Sequence, residues 1–264
     1  MSAFPKKFLF TFICLLLSFL YFNLFAWAVD IPTLVANRIS HDGKTLDLSG
    51  LNIGTAGAKQ LAKVESLKEI TTLHLQGNNI KARGMKALAK SPHLVGLKHL
   101  DLWGNLLGDL GLKAISESLY LRQLETLKLW KNEISDDSIE LMVASDNFTH
   151  LKPLMLNDNL ITPVGAGMLA STSVFPQLLT LNLFRNDIGD EGALIFASSE
   201  NYSNLQFFYL GDNKVTDHGA VPLIESKYFP QLKVLDLTMN KLGEATMISA
   251  LKVNRKGKIQ IIYR

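Results

Sequence analysis

The chain has 264 residues, with 27 Lys and Arg against 24 Asp and Glu and a formal net charge of +3. Residues 1–28 hold two of the lysines and no acid, so the remainder of the chain is close to neutral. A near-neutral chain has no polybasic surface to neutralise phosphates, which argues against a nucleic-acid partner and against electrostatic binding to membranes.

The N-terminal segment, residues 1–28, has the order of a secretory signal peptide. Two lysines precede an apolar run over residues 8–25, and the segment ends in the small-x-small pattern Ala26-Trp27-Ala28. The run also approaches the roughly 20 residues that span a bilayer, so an uncleaved N-terminal anchor is the alternative. Its Cys14 is the only cysteine of the chain, which leaves no disulfide after cleavage. We expect an exported protein, periplasmic or secreted, with membrane contact only through residues 1–28 if they are retained.

From Thr45 to Ala250 the chain repeats itself every 27 residues. Two leucines separated by one residue precede an asparagine, as Leu73 and Leu75 precede Asn78, and an apolar residue and then a small residue follow it. The alternation of apolar and variable positions predicts a short strand, and the apolar spacing after the small residue predicts a helix. The asparagine recurs without a break at Asn78, Asn105, Asn132, Asn159, Asn186, Asn213 and Asn240.

These columns resemble the leucine-rich repeat family in its ribonuclease-inhibitor-like form, LxxLxLxxNxIxxxGxxxLA. The resemblance implies an α/β fold, a right-handed horseshoe-shaped solenoid with a parallel sheet on the concave face and helices on the convex face. It also implies that each asparagine amide bonds backbone groups in the turn after its strand. We predict an N-terminal cap over residues 29–43, eight 27-residue repeats over 44–254, and a capping strand over 255–264, in which Ile262 continues the 27-residue register.

Other periodic positions predict the framework. A large apolar residue precedes each strand, and from residue 148 onward it is aromatic, which predicts a buried row inside the solenoid. Ser135 and Thr216 stand where helix N-caps are expected, and Pro163 stands at a first helical turn. The row consists of Leu67, Leu94, Leu121, Phe148, Phe175, Tyr202 and Phe229.

The repeats leave no second domain, and no catalytic triad, glycine-rich phosphate loop or metal-ligand cluster occurs in sequence order. We therefore predict a protein that is not an enzyme and that binds no cofactor. Extracellular leucine-rich repeat proteins of animals and plants usually carry cysteine-bonded caps, so the resemblance without cysteines favours a bacterial envelope protein.

A binding site is expected on strand residues that point away from the leucine core. Trp103 and Trp130 occupy such positions on neighbouring strands about 4.8 Å apart and should lie side by side. Exposed aromatic clusters mark binding surfaces, although the aromatics could simply pack against one another. The predicted partner-binding residues are Trp103, Trp130, Met155, Phe184, Phe207, Tyr209, His74, Asp101 and Lys128, and the predicted polar rim is His99, Lys131, Asp158, Arg185 and Asp212.

One constellation invites a chemical interpretation. Asp47, His74 and Asp101 share a column on consecutive strands, with His99 nearby, and carboxylate with imidazole can ligate a metal or perform acid/base chemistry. Such groups are more often paired surface side chains. We therefore predict no metal and no catalytic residue here.

The sequence thus favours a binding module that recognises another protein through its concave face. A first alternative is a secreted adhesion or virulence factor that acts on host cells. A second is a carbohydrate-binding protein whose tryptophans stack on sugars. Hydrolysis would require paired carboxylates within about 5 to 10 Å, and Asp101 is the only acid adjacent to both tryptophans.

Overall fold

A computed structural model describes residues 30–254, 257 and 259–264. The signal segment predicted over residues 1–28 lies outside the described residues. One parallel sheet runs through the described part of the chain with its strands in sequence order. These strands are β1 (Thr45–Asp47), β2 (Thr72–His74), β3 (His99–Asp101), β4 (Thr126–Lys128), β5 (Pro153–Met155), β6 (Thr180–Asn182), β7 (Phe207–Tyr209), β8 (Val234–Asp236) and β9 (Gln260–Ile262).

A helix lies between each pair of neighbouring strands, and one more precedes β1. Short 3-10 helices, at Glu65–Glu69, Pro92–Leu94, Asp146–Phe148 and Glu200–Tyr202, lead into four of the strands. The α-helices are α1 (Ile31–Arg38), α2 (Gly54–Leu61), α3 (Lys81–Ala89), α4 (Gly108–Ser116), α5 (Asp136–Val143), α6 (Pro163–Ser171), α7 (Gly189–Ala197), α8 (Asp217–Ile224) and α9 (Glu244–Asn254).

The strand register follows the sequence period. Leu73 pairs with Leu46 on one side and Leu100 on the other, a step of 27 residues each time. The middle residue of every strand is buried, which places the leucines against the helices. The α/β leucine-rich repeat solenoid predicted from the sequence is confirmed.

The last strand departs from the predicted register. Leu235 pairs with Ile261 rather than Ile262, a step of 26 residues. Ile261 is therefore the residue that is buried, and the amide of Asn254 at the end of α9 bonds its N–H and its carbonyl at 2.7 and 3.2 Å. The final connection is one residue shorter than the others, so the 27-residue prediction for Ile262 was wrong.

At the other end, α1 covers the first repeat. Ile31 and Val35 are buried, and Ile39 forms an antiparallel bridge with Leu46. A single short helix thus removes the first leucines from water, because the parallel sheet supplies no earlier repeat to cover them.

The row that precedes the strands is buried along its whole length, as predicted. In the C-terminal half, Tyr202 and Phe229 of this row contact aromatic rings outside it. Phe196 of α7 lies 5.7 Å from Tyr202 and 5.0 Å from Phe208, and Phe208 lies 6.0 Å from Phe229, between ring centroids. The Tyr202 hydroxyl donates to the Leu169 carbonyl at 2.5 Å, and burial raises the pKa of Tyr202.

The recurring asparagines form a hydrogen-bonded ladder. The Oδ1 of Asn132 accepts the N–H groups of Asn105 and Leu107 in the preceding repeat, at 3.1 and 3.2 Å. Its Nδ2 donates to the carbonyls of Leu102 and Leu129 at 2.9 and 3.1 Å. Each asparagine thereby satisfies backbone groups that the turn leaves without a strand partner, and joins two repeats.

A second ladder, of aspartates, joins the helix N-termini. Asp190 in the first turn of α7 accepts the N–H and hydroxyl of Thr216, both at 2.7 Å, at the start of α8. Asp217 does the same for α9 through the hydroxyl of Thr246 and the N–H of Gly243, at 2.5 and 2.7 Å. Each carboxylate lies at the positive end of the next helix, which is electrostatically favourable.

This ladder modifies the predicted helix caps. Thr216 accepts the N–H of His218 and caps α8 as predicted, and Thr162 with Pro163 starts α6 in the same way. Ser135 stands at the N-cap position of α5, but its hydroxyl donates to Asp109 at 2.7 Å instead of accepting a helical N–H. Ser135 is therefore the N-cap residue of α5, as predicted, and its side chain bonds the carboxylate of the preceding helix rather than an N–H of its own helix.

Acidification should destabilise the protein through these aspartates. Hydrogen bonds from Thr246 and Gly243 lower the pKa of Asp217. For Asp190, burial raises the pKa, but the hydrogen bonds from Thr216 and Gly219 outweigh the effect of burial and the pKa is lowered. Both pKa values are lowered on folding, so their stabilisation is complete above the unfolded value of about 4 and is lost as pH falls through the folded values. Urea unfolding at about pH 7, 5 and 3 should show a decrease concentrated at the lowest pH.

The Asp217→Asn variant should be less stable at neutral pH and should depend less steeply on pH than the parent. Asp137→Asn is the matched control, since Asp137 is exposed in the first turn of α5. An unchanged pH dependence in Asp217→Asn would contradict the role assigned to its carboxylate.

Candidate partner-binding surface

The face of the sheet turned away from the helices is the candidate site, and we refer to it as the open face. Side chains alternate along a strand, so the residues before, between and after each leucine pair point away from the core. Trp103 and Trp130 lie two residues beyond the ends of β3 and β4, and Tyr209 lies on β7 between Phe208 and Leu210. Backbone hydrogen bonds hold both tryptophan positions, because the Trp103 carbonyl accepts the N–H of Gly77 at 2.7 Å and the Trp130 carbonyl accepts that of Gly104 at 3.1 Å.

Trp103 and Trp130 stack on one another. Their ring centroids are 4.6 Å apart and the ring planes differ by 21°. Trp103 is 38% exposed and Trp130 is half-buried. The predicted adjacency of the two tryptophans is confirmed, and their stacking leaves the outer part of Trp103 open to solvent.

Asp101 fixes the strand end below this pair. Its Oδ1 accepts a hydrogen bond from the N–H of Trp103 at 3.2 Å, and its Oδ2 accepts one from the Lys128 ammonium at 3.1 Å. Asp101 is only 8% exposed, so this ion pair lies partly out of water. A partly buried pair is screened by salt less than a surface pair. Asp101 and Lys128 therefore act together beside the tryptophans.

At the end of β2, next to the tryptophan positions, two polar atoms have no hydrogen-bond partner within the described residues. They are the Nδ1 of His74 and the Oε1 of Gln76, both buried from solvent. Unpaired buried polar atoms carry a free-energy cost. Gln76 was not among the predicted residues, although its position one 27-residue step before Trp103 could have identified it.

The remaining predicted aromatics form a second group farther along the sheet. The Phe184 ring lies over Gly211, where an added Cβ would be 2.5 Å from the ring. The Arg185 guanidinium lies 5.9 Å from the Phe184 centroid, and the Lys233 ammonium 6.0 Å from that of Phe207. Like these rings, Met155 and Tyr209 are half-buried.

The two groups are separated by Asn157, which occupies the β5 position between Trp130 and Phe184. Within the described residues, ring-to-ring contact on the open face is confined to Trp103 and Trp130. The predicted partner-binding aromatics therefore form two patches, because an amide and not an aromatic occupies the position between them.

The rim residues follow a backbone rule. Lys131, Asp158, Arg185 and Asp212 each precede a ladder asparagine and have φ between 53° and 56°. In the first repeats this position is a glycine, as at Gly104, and it has the same left-handed backbone. The turn therefore requires a positive φ at this position whatever the side chain. Arg185 and Asp212 also form an ion pair with 3.1 Å between Nε and Oδ2.

Polar side chains at the edge where the strands begin also bond to one another. The Nδ1 of His99 lies 2.9 Å from the Thr126 hydroxyl. Glu125 lies between Lys98 and Lys152, with 2.9 Å to each ammonium. Hydrogen bonds from Lys152 and then Lys98 lower the pKa of Glu125 to about 2. This edge is therefore a fixed array of charges and not a set of independent ones.

The Asp47, His74 and Asp101 column does not form a chelating group. The Asp47 carboxylate accepts the hydroxyl and N–H of Ser49, which lower its pKa, and Asp101 is engaged by Lys128 and Trp103. Among residues 30–254, 257 and 259–264, no group of three His, Cys, Asp or Glu side chains could hold a metal ion.

The repeats of this chain match a known family model. The model described as "Leucine Rich repeat" matches residues 69–89, 97–116 and 176–197. These segments hold the helices α3, α4 and α7, each with residues that precede its helix. These three segments are similar to leucine-rich repeats, and the parallel sheet with its alternating helices has the α/β solenoid fold expected of such repeats.

The chain was also compared with individual proteins and solved structures. No curated protein matches the chain significantly in sequence. A solved structure titled "Octameric complex of Latrophilin 3 (Lec, Olf), Unc5D (Ig, Ig2, TSP1) and FLRT2 (LRR)" contains a chain with 21% identity and a TM-score of 0.41, over 78% of this chain and 72% of that one. In the part of the chain that the structure describes, no helix is long and apolar enough to cross a membrane.

Proposed function

We propose that this protein is a non-enzymatic binding module that recognises another protein through the open face, with Trp103 and Trp130 as anchors. The stacked tryptophan pair carries the proposal. Equivalent positions on other strands hold Ser49, Gln76, Asn157, Gly211 and Thr238, so the fold does not require an aromatic residue there. Tryptophan is among the residues that most often supply interface energy.

The surroundings of the pair support a protein partner. Asp101 and Lys128 place opposite charges beside an apolar surface, and the polar side chains of His74 and Gln76 lie in the neighbouring repeat. An apolar centre with polar groups around it is the usual composition of a protein interface. His74, Asp101 and Lys128 would then orient the partner that the tryptophans anchor.

We further propose that the protein is of the ribonuclease-inhibitor-like subtype and that it is exported, in a bacterial cell, to the periplasm or beyond. Residues 1–28 support export. The absence of cysteine after them supports a bacterial cell, because extracellular leucine-rich repeat proteins of animals and plants usually carry cysteine-bonded caps. N-terminal sequencing of the exported protein should begin at Val29. A protein that begins at Met1 in a carbonate-resistant membrane fraction would contradict cleavage and favour the anchor.

Truncating both tryptophans should strongly weaken the affinity for the partner and have little effect on folding. The partner is first isolated with the mature protein from envelope and host-cell extracts, and its affinity is then titrated. Loss of an anchor tryptophan costs about 2 kcal/mol or more, so the Trp103→Ala/Trp130→Ala variant should bind at least about thirtyfold more weakly. Its free energy of unfolding should fall by only about 1 kcal/mol, the scale of one aromatic stack.

The control removes two exposed apolar side chains on the helix side of the solenoid. Ile248 and Leu251 are exposed on α9, and Ile248→Ala/Leu251→Ala should retain parental affinity. Parental affinity in the folded tryptophan variant would remove the site from this face. A glycan isolated as the ligand would support the carbohydrate-binding alternative, and a host-cell protein would support the adhesion alternative.

A further inference from the structure

The helix side of the solenoid carries a groove that the open face does not explain. It lies between α3 and α4 and has a volume of about 450 Å³. Helix α3 contributes Ala82 to its lining, and α4 with the turn after it contributes Leu110, Ala114, Leu119 and Tyr120. The charged groups on the α4 side, Lys113 and Glu117, pair with one another, with 3.7 Å between Nζ and Oε1. The small alanines leave a depression between two helices that pack side by side. We call this depression the helix groove.

Two leucines of the helix groove are exposed to an unusual degree. Leu110 is 71% exposed and Leu119 is 70% exposed. The 27-residue period provides an internal comparison, because the fold places equivalent residues in the other repeats. Leu110 corresponds to Arg83, Asp137, Glu191 and His218 in four of them, and Leu119 to Glu65, Asp146, Ser173, Glu200 and Lys227 in five of them. Packing of the repeats therefore does not call for leucine at either position.

The turn that carries Leu119 is held in place. The Ser118 hydroxyl donates to the Ala89 carbonyl at 2.6 Å and accepts the N–H groups of Tyr120 and Leu121 at 3.2 and 3.0 Å. These bonds fix the backbone on both sides of Leu119. The exposed leucine is thus presented by an ordered turn and is available without rearrangement.

The opposite side of the helix groove is basic. Helix α3 contains Lys81, Arg83 and Lys86 and no acid, and Lys90 follows it directly. Arg83, Lys86 and Lys90 line the groove, and none of them pairs with a carboxylate of the described residues. The groove therefore offers an apolar side and an uncompensated cationic side, which together select a ligand with apolar and acidic faces.

We propose that the helix groove is a second interaction surface that binds an acidic amphipathic helix of a partner protein. The partner's apolar residues would contact Leu110 and Leu119, and its carboxylates would pair with Lys86 and Lys90. Both α3 and α4 have nine residues and are about 13 Å long, which matches about two and a half turns of a bound helix.

The charges of the neighbouring helix favour a peptide over a membrane surface. Helix α5 contains Asp136, Asp137 and Glu140 and no base. An anionic bilayer would extend across α4 to α5 and would be repelled there, whereas a single helix lies within the groove between α3 and α4. The change of charge at α5 thus ends the favourable surface on that side of the groove.

The test uses the mature protein and a synthetic fluorescent helical peptide of about 16 residues. Leucines occupy one face at the i, i+3, i+4 and i+7 spacing and glutamates flank them. Fluorescence anisotropy should show saturable binding that weakens as the salt concentration is raised. The same peptide with lysine in place of glutamate should not bind, and phosphatidylserine vesicles should not bind the protein in preference to the peptide.

Variants assign the binding to the helix groove. Lys86→Glu/Lys90→Glu and Leu110→Ser/Leu119→Ser should each weaken peptide affinity at least about tenfold while the circular dichroism spectrum stays unchanged. Trp103→Ala/Trp130→Ala should bind the peptide as the parent does, so this surface and the proposed open-face site can fail independently. No peptide binding, equal binding of the lysine peptide, unchanged affinity in the groove variants, or preferred binding to vesicles would each overturn the proposal.

Discussion

Replacing Asn132 with alanine is expected to lower the free energy of unfolding by about 3 to 6 kcal/mol. Asn132 is fully buried, and its amide makes five bonds of 2.9 to 3.2 Å to backbone groups of two repeats. Alanine would leave the N–H groups of Asn105 and Leu107 buried without an acceptor. Each unsatisfied buried group costs about 1 to 3 kcal/mol, and no water can enter without opening the stack.

Urea denaturation monitored by circular dichroism measures this effect. Asn204→Ala is the matched control, since the Asn204 amide makes one exposed bond, at 3.0 Å, to the Pro176 carbonyl. It should change the free energy of unfolding by about 0.5 kcal/mol or less. Equal stabilities of the two variants would mean that the asparagine ladder is not what joins the repeats.

The second large effect is expected for Phe196→Ala, with a loss of about 3 to 5 kcal/mol. Phe196 is fully buried, and its ring meets those of Tyr202 and Phe208. Its removal would leave a cavity where a helix, a strand and the aromatic row meet. The sheet on one side and the helices on the other are both fixed by hydrogen bonds, so the cavity can collapse only in part.

Phe207→Ala provides the comparison within the same strand region. Phe207 is half-buried on the open face, so its loss removes partial contact and leaves no closed cavity. We expect a decrease of about 1 kcal/mol or less for this variant. Hydrogen exchange should also accelerate first around Leu181 and Phe208 in Phe196→Ala, because repeats stabilise chiefly their neighbours. A uniform acceleration from β1 to β9 would contradict this local coupling.

The architecture could be predicted from the sequence because every repeat of a solenoid makes the same set of contacts. The strand pairing of Leu73 with Leu46 and Leu100 recurs at every step of 27 residues over most of the sheet. Residues 27 positions apart are therefore expected to be neighbours in the fold. The adjacency of Trp103 and Trp130 followed from the same reasoning. The aspartates at 109, 136, 190 and 217 also share a column, and their ladder could have been found by applying the period to polar residues.

The period does not predict how side chains at one position turn. Side-chain rotamers decide three of the contacts at the site, and the register allows others. Trp103 stacks on Trp130, and Phe184 lies over Gly211. Asp101 accepts a hydrogen bond from Lys128 and not from His74. The register of β9 depended on the geometry of one shortened connection. These outcomes depend on the packing of neighbours at distances of a few Å, which sequence spacing does not specify.

The sequence alone thus determined the repeat, the buried columns and the side of the sheet on which an anchor would stand, since these follow from periodicity. Only the tertiary structure decided which exposed groups act together. The helix groove shows the difference most clearly, because Lys86 and Leu119 are 33 positions apart in sequence and line one groove. They meet because adjacent helices pack side by side and small alanines leave space between them, a property of the packed surfaces and not of either segment.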